Sequence, residues 1–179
     1  SSARAPPSAW QVVAPEAARR PGPAVPPASP PAARQFLLGL FDEQNDYFLY
    51  NREPGRLRSS WRTLPGSTPA SVFCLLLLGM ERNDDRLRRA LDWTLDRKPR
   101  RYRRVNEEEF VTRAEGNVYF WYYGSLACFF AGGELWQEWN EALKSVLPQA
   151  QDRDGSFRPI DPYAAYAGDN EKERSYTTA

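Results

Sequence analysis

The chain has 179 residues, a net charge of +1, 41% hydrophobic residues and no histidine. This length allows one domain with a tail, and the near-zero charge gives no overall attraction to nucleic acid or to anionic membranes. The lack of histidine excludes a Ser-His-Asp triad and removes the commonest zinc ligand. No apolar run approaches the roughly 20 residues that a membrane-spanning helix needs. We therefore predict no cofactor, no nucleic-acid partner and no membrane-spanning segment, while the cellular location stays undetermined.

The N-terminal part of the chain is rich in proline and alanine. Nine of the 16 prolines lie within the first 34 residues. Proline removes a backbone donor and disfavours helix in the residue before it. We predict a disordered Pro/Ala-rich linker over residues 1–34 and a globular domain over residues 35–179. A proline-rich ligand for a recognition domain is the alternative reading of the linker.

The globular part opens with two short patterns. Residues 36–41 carry apolar side chains at helical spacing and predict a helix. Two aromatic-rich segments, 47–50 and 57–61, flank the pair Pro54-Gly55. A Pro-Gly pair in this setting predicts a short hairpin or an extended loop.

Two apolar segments share one pattern. Residues 71–79 and 125–133 both read Ser-x-x-Cys-x-x-x-x-Gly, and they lie 54 residues apart. Because each is apolar on all sides, each predicts a helix that is buried all round and ended by glycine. The two cysteines of the chain, Cys74 and Cys128, lie in these runs, so we expect buried free thiols rather than a disulfide framework or a zinc site.

An amphipathic segment follows each of these helices. Residues 83–95 and 135–150 place apolar side chains three and four apart, and Asn83 or Asp84 could cap the first of the two helices. A buried helix, a glycine and an amphipathic helix, repeated at about 50 residues, predict an array of stacked helical hairpins. We expect Arg174–Ala179 to open a third unit and the chain to be a piece of a longer protein.

The second half of the chain resembles a known repeat family. The matching residues are Val118-Tyr-Phe-Trp-Tyr-Tyr-Gly-Ser-Leu-Ala127, Gly132-Gly-Glu-Leu-Trp136, Trp139-Asn-Glu-Ala-Leu-Lys144 and Gln151-Asp-Arg-Asp-Gly-Ser-Phe157. They are similar to the squalene/hopene cyclase and protein prenyltransferase superfamily, and more closely to bacterial prenyltransferase/squalene-oxidase-repeat proteins of the planctomycete type. The resemblance implies an all-α fold, a partial α/α toroid built of helical hairpins.

The signature of that family's repeat is Gln-x-x-x-Gly-x-Trp. Gln151, Gly155 and Phe157 fit it, with phenylalanine in place of tryptophan. We expect the Gln151 amide to bond free backbone groups at a neighbouring helix end, and Gly155 to permit a tight turn. The aromatic ring of Phe157 would then stack on the turn and lock one hairpin to the next.

The catalytic motifs of the superfamily are not found in this sequence. Cyclases use an acid in Asp-x-Asp-Asp, whereas this chain offers Asn83-Asp84-Asp85 at the start of a helix, where capping explains it. The zinc site of the prenyltransferases needs histidine, and neither cysteine lies in the Cys-Gly-Glu-Gln motif of thioester domains. The resemblance therefore implies a non-catalytic repeat scaffold or binding module, with no catalytic residue. The alternative is a terpenoid-cyclase-like enzyme, acting on a polyprenyl substrate, whose acid lies outside this fragment.

One aromatic cluster is a candidate cavity lining. Tyr119, Trp121, Tyr122 and Tyr123 could stabilise a cation because aromatic faces attract positive charge, although packing in the core explains them as well. The expected partner is an apolar ligand or another protein.

Two charged segments follow the first amphipathic helix. Residues 97–104 hold six basic side chains in eight, which a phosphate or an anionic lipid could contact. The acidic residues Glu107–Glu109, Glu115 and Asp169 could form a carboxylate pair of the glycosidase kind. Solvated loop charges that neutralise one another are the plainer interpretation of both.

Overall fold

The computed structural model describes residues 29–51 and 64–160, together with Val12. These residues are mostly helical and carry one two-stranded sheet, which confirms the predicted helical class at that level. In chain order the elements are α1 (Ser29–Leu38), β1 (Phe41–Asp42), β2 (Tyr47–Phe48), α2 (Ser67–Leu77), α3 (Asp85–Asp96), α4 (Glu107–Thr112), α5 (Val118–Ala131) and α6 (Gly133–Ala150).

The first helix begins earlier than the sequence predicts. The boundary expected after residue 34 falls inside α1, which starts at Ser29. Prolines are tolerated there because N–H groups in the first turn of a helix have no intrahelical acceptor. Val12 is also buried against the core, at 5% exposure. The rest of the predicted linker, residues 1–11 and 13–28, lies outside the described residues.

A small β-hairpin follows α1, in place of the end of the predicted helix. Phe41 pairs with Phe48 in antiparallel register, so Phe41 lies in a strand. The carboxylate of Asp42 accepts the backbone N–H groups of Gln44 at 3.0 Å and Asn45 at 3.2 Å. Such a side-chain turn competes with helix continuation. The loop predicted around Pro54-Gly55 lies outside the described residues.

Arg89 of α3 fastens this hairpin to the helices. Its guanidinium donates to Asp46 Oδ1 at 2.7 Å and pairs with Glu43, both in the turn between the two strands. The same group lies over the ring of Phe41, 5.0 Å from its centroid. On the other side, the backbone N–H of Phe48 donates to Thr68 Oγ1 at 3.1 Å, which joins β2 to α2.

The glycine that was predicted to end α2 does so by a defined motif. Gly79 has a φ of +75°, a left-handed conformation that favours glycine. The N–H of Met80 donates to the carbonyl of Leu75 at 2.9 Å, and that of Gly79 to Leu76 at 3.0 Å. This pair of bonds is a Schellman cap, which satisfies carbonyls left over at the helix end.

The two amphipathic helices also form as predicted. Asp84 caps α3 by accepting the backbone N–H of Arg86 at 3.0 Å. The apolar stripe of α3 is buried at Leu87, Ala90 and Leu91. The stripe of α6 is buried at Trp139 and Val146 and half-buried at its other predicted positions, Leu135, Ala142, Leu143 and Ala150.

Helices α5 and α6 form a hairpin joined at one residue. Gly132 has φ 72° and ψ −165°, a conformation almost restricted to glycine, and it caps both helices. Across the hairpin Phe129 contacts Trp136 and Ser125 contacts Trp139, so the two helices run in opposite directions. Arg82 donates to the carbonyl of Ala131 at 3.0 Å, where a cation suits the negative end of the α5 dipole.

Helix α2 packs against α3 on one side and against α5 on the other, and its contacts with α5 place these two helices parallel. At one end the ring of Tyr119 lies against Gly66, where an added Cβ would be 2.5 Å from Cδ1. Further along, Phe73 lies 6.4 Å from Tyr123 and 5.2 Å from Phe130, between ring centroids. The partners in these contacts lie 50 to 57 residues apart in the chain, on either side of the 54-residue spacing of the sequence pattern.

Candidate functional site

The most exposed aromatic surface among the described residues lies on α5. Tyr122 is 51% exposed, Phe129 is 59% exposed and Phe130 is 43% exposed. The prediction that this helix is buried all round is therefore wrong on one side. In α2, by contrast, Ser67 to Leu75 are all buried. Exposing aromatic rings of this size costs free energy, since each can bury roughly 150–250 Å².

The exposed side of α5 is a continuous stripe. Tyr122, Leu126 and Phe129 are spaced by four and three residues, so they lie along one face of the helix. Leu126 between them is half-buried. Phe130 flanks the stripe and makes an edge contact with Phe129, at 6.0 Å between ring centroids. We call these four residues the α5 stripe.

The neighbouring elements explain why only this side stays open. On another face, the indole of Trp139 from α6 packs against Gly124, and the ring centroid of Phe120 lies 5.9 Å from that of Trp139. On the face toward α2, Tyr123 meets Phe73. The α5 stripe lies between these covered faces, and none of the described elements covers it fully.

The four predicted cavity-lining aromatics lie on different sides of α5. Tyr122 belongs to the α5 stripe, and Tyr119 is half-buried over Gly66. Trp121 and Tyr123 are buried at 3% and 1% exposure and face neighbouring side chains rather than open space. Burial also raises the pKa of Tyr123. Of the four, Tyr122 alone is exposed.

The Gln-Gly-Phe motif closes its own loop. Gln151 Nε2 donates to the carbonyl of Gly155 at 2.8 Å, so its partner is not a neighbouring helix end as expected. Gly155 has a φ of +85°, in agreement with the predicted tight turn. Gln151 and Phe157 form an antiparallel bridge that closes the same loop. Phe157 contacts Tyr102 edge-on at 6.1 Å between ring centroids and so joins the loop to the residues between α3 and α4.

The buried cysteines agree with the sequence prediction. Cys74 and Cys128 are fully buried thiols, and neither forms a disulfide. Burial raises the pKa of each thiol from 9.0 to about 12. Since the thiolate is the nucleophile, neither side chain is suited to covalent chemistry at neutral pH.

The acidic residues at the start of α3 are engaged by arginines. Burial alone would raise the pKa of Asp84, but hydrogen bonds from Arg86 bring that pKa below its usual value. A hydrogen bond from Arg88, together with the charge of Arg89, lowers the pKa of Asp85. Carboxyl groups with lowered pKa values stay ionised, so they are poor proton donors.

The basic segment is partly neutralised by acids, as the sequence suggested. Lys98 pairs with Glu138 of α6, and Arg103 lies 3.6 Å from Glu109. Glu109 also belongs to the capping box that begins α4, in which Asn106 accepts its backbone N–H. This helix was not predicted, although the Asn-x-x-Glu pattern is its signal. Asp169 lies outside the described residues.

Neither a metal site nor a membrane span emerges from the described residues. Residues 29–51 and 64–160 contain no cluster of three or more histidine, cysteine or acidic side chains that could hold a metal ion. None of the helices described is both long and apolar enough to cross a membrane. A scan against protein-family models found no match, and neither curated protein sequences nor solved structures showed significant similarity to the chain.

Proposed function

We propose that this chain is part of a stacked helical-hairpin scaffold of the squalene-cyclase type, a partial α/α toroid that binds an apolar partner without catalysing a reaction on it. The observation that carries this proposal is the α5 stripe. Three large aromatic side chains, Tyr122, Phe129 and Phe130, stay between 43% and 59% exposed on a helix whose other sides are covered. Contiguous exposed apolar surface of this kind marks binding sites.

The stacking of the hairpins supports the scaffold part of the proposal. Helices α2 and α5 lie parallel and are offset by the sequence repeat, as Tyr119 over Gly66 and Phe73 beside Phe130 demonstrate. In a repeat array each inner helix meets the same kind of neighbour on either side. Residues 117–179 resemble the cyclase repeats, in which further helical hairpins stack in the same way and form an α/α toroid.

The chemistry of the acids supports a binding role. A terpenoid cyclase must protonate an alkene or an epoxide. Of the acids nearest to its motif, Asp84 caps α3 and Asp85 is the first residue of that helix, and both are paired with arginines that lower their pKa values. Aromatic rings without a proton donor bind an apolar molecule, such as a polyprenyl chain, or another protein.

Squalene is a suitable probe for this proposal. The complete chain is incubated with squalene, bound lipid is measured by equilibrium partition, and the recovered lipid is identified by gas chromatography with mass spectrometry. We expect unchanged squalene to be retained, and the affinity to fall by about tenfold to a hundredfold in Phe129→Ser, since about 1.5–3 kcal/mol of aromatic burial is lost. Gln137→Ser, at an exposed position on α6, is the matched control and should bind as the wild type does.

Sedimentation velocity on the same proteins tests the protein-partner form of the proposal. If the stripe binds a second protein surface, self-association of the wild type should be weaker in Phe129→Ser and unchanged in Gln137→Ser. A cyclised product would overturn the binding role in favour of the enzyme alternative. If Phe129→Ser behaves as the wild type does in both assays, the α5 stripe is not the binding surface.

A further inference from the structure

A second candidate site lies away from the α5 stripe, where the two charged segments of the sequence meet. A cleft of about 530 Å³ opens between the end of α3 and α4, and this volume is in the range of small-molecule sites. Its lining residues are polar or charged: Asp96, Arg97, Arg100, Glu108, Thr112, Arg113 and Glu115. The sequence predicted solvated loop charges that neutralise one another, whereas the fold places residues of both runs on one cleft.

Arg97 forms a fixed part of the cleft wall. Its Nε donates to the carbonyl of Thr112 at 3.0 Å, and its Nη1 donates to the carbonyl of Trp93 at 2.9 Å. The guanidinium carbon lies 3.8 Å from the centroid of the Trp93 indole. These contacts join the end of α3 to the end of α4 through the Nε and Nη1 atoms of Arg97. Nη1 also lies 3.4 Å from Asp96 Oδ2, so Arg97 and Asp96 are paired with each other.

Glu115 is the unusual group in this cleft. The residue is only 9% exposed, and its Oε2 atom has no hydrogen-bond partner within the described part of the chain. A buried carboxylate oxygen without a donor costs free energy, because it has left water and gained nothing in return. A ligand that brings a cationic donor to this carboxylate recovers that loss.

The remaining charges of the cleft are balanced. Among the described residues, the side chains of Glu108 and Arg113 have no ion-pair or hydrogen-bond partner, and Arg100 donates only to the carbonyl of Asp96, at 3.2 Å. Two guanidinium groups and two carboxylates therefore remain for a ligand. A simple anion would be repelled by Glu115 and Glu108, and a simple cation by Arg100 and Arg113.

We propose that this cleft binds a small zwitterion, with an ammonium group against Glu115 and a carboxylate against Arg113 and Arg100. Free amino acids and short peptides have this chemistry. Arginine suits the carboxylate end because its planar fork can bond both oxygens at once. The site lies on different elements from the α5 stripe, and it does not depend on the function proposed for that stripe.

Isothermal titration calorimetry of the complete chain tests this site with oligoglycines of one to four residues. At least one of them, with both ends free, is expected to bind with one-to-one stoichiometry. Acetylating its amino end or amidating its carboxyl end should weaken binding by about tenfold or more, since a charge-assisted hydrogen bond is lost in each case.

Three variants locate the site on the protein. Glu115→Gln keeps the size of the side chain and removes its charge, and Arg113→Gln removes a charge from an exposed position, so both should weaken binding by about tenfold. Arg101→Gln is the matched control, because Arg101 is an exposed arginine in the loop between α3 and α4, next to Arg100, but does not line the cleft. Circular dichroism verifies that each variant folds. If Glu115→Gln does not fold, the binding measured for Arg113→Gln tests the site.

Three results would overturn the proposal. The first is that none of the four oligoglycines binds the wild type. The second is that the capped forms bind as tightly as the free ones. The third is that Arg101→Gln weakens binding as much as Arg113→Gln does, which would indicate attraction by the loop charge rather than a site.

Discussion

The indole of Trp139 occupies the space that a side chain at position 124 would need. A Cβ atom added to Gly124 would lie 2.3 Å from Cη2 and Cζ2 of that ring. Trp139 is fully buried, and its Nε1 donates to Ser125 Oγ at 3.0 Å. The absence of a side chain at Gly124 is thus what lets α5 and α6 pack as a close hairpin.

Gly124→Ala should destabilise the protein, although alanine is the better helix former by about 1 kcal/mol. We expect the free energy of unfolding to fall by about 1–3 kcal/mol, because the buried ring has to move. Urea denaturation measures this change. In the Gly124→Ala background, Trp139→Phe should cost less than it does in the wild type. A stabilising Gly124→Ala would contradict the contact.

The start of α5 depends on Asn117. Its Oδ1 accepts the backbone N–H of Phe120 at 2.9 Å, and the residue is 4% exposed. Asn117→Ala should lower the free energy of unfolding by about 1–2 kcal/mol because a buried cap is lost. Asn117→Ser keeps an oxygen acceptor at the cap, so it should cost less. Equal losses in the two variants, measured by urea denaturation, would show that the cap is not what stabilises the helix.

Gly79 tests whether backbone conformation is what requires glycine at the end of α2. Nothing lies within 4 Å of a Cβ atom added at position 79, so there is space for a side chain. The φ of +75° is what disfavours residues other than glycine. Gly79→Ala should cost about 1 kcal/mol, since non-glycine residues are strained in this region. Gly79→Asn should cost less, because asparagine tolerates the left-handed conformation. Thermal melting compares the stabilities of the two variants. An asparagine variant less stable than the alanine variant would contradict this account.

The buried thiols should make stability fall at alkaline pH. Burial raises the pKa of Cys74 and Cys128 from 9.0 to about 12. Between pH 9 and 12 the unfolded chain releases these protons while the folded protein keeps them. The loss is up to about 1.4 kcal/mol per pH unit for each thiol, and below pH 9 the thiols add no pH dependence.

Urea denaturation at pH 8.0 to 10.5 compares the wild type with the double variant Cys74→Ala/Cys128→Ala. The variant should show the shallower decline above pH 9, because its other titrating groups are the same. Parallel declines of the two proteins would mean that the thiols are not shielded in the folded state.

Much of the fold could be predicted because local signals and burial agree. The shared Ser-x-x-Cys-x-x-x-x-Gly pattern predicted α2, α5 and the glycine after α2, and Asp84, one of the two predicted capping residues, caps α3. The pattern placed the end of α5 at Gly133, whereas Gly132 caps α5 and Gly133 begins α6. Here hydrophobic periodicity, capping residues and chain reversals indicate the same structure. Phe41 was assigned to a helix wrongly, since the turn made by Asp42 overrides the apolar spacing.

The sites depend on neighbours that periodicity does not identify. An all-apolar helix gives no sign of which side lacks a neighbour, so the exposure of Tyr122 and Phe129 was not predicted. Glu115 and Arg100 lie 15 positions apart in the chain, and only the packing of α4 against the end of α3 brings them to one cleft. The acceptor of Gln151 was not predicted either. Its side chain donates to the carbonyl of Gly155 within its own loop, which the bridge between Gln151 and Phe157 closes.

The parallel stacking of α2 and α5 as copies of one repeat is tested most directly by nuclear Overhauser contacts in solution. Parallel stacking predicts contacts from Gly66 to the ring of Tyr119, and from the ring of Phe73 to that of Phe130, whose centroids are 5.2 Å apart. Contacts from Gly66 to Phe130 and from Phe73 to Tyr119, with the predicted pairs absent, would mean that the helices run antiparallel. That result would contradict the repeat and the scaffold that we propose from it.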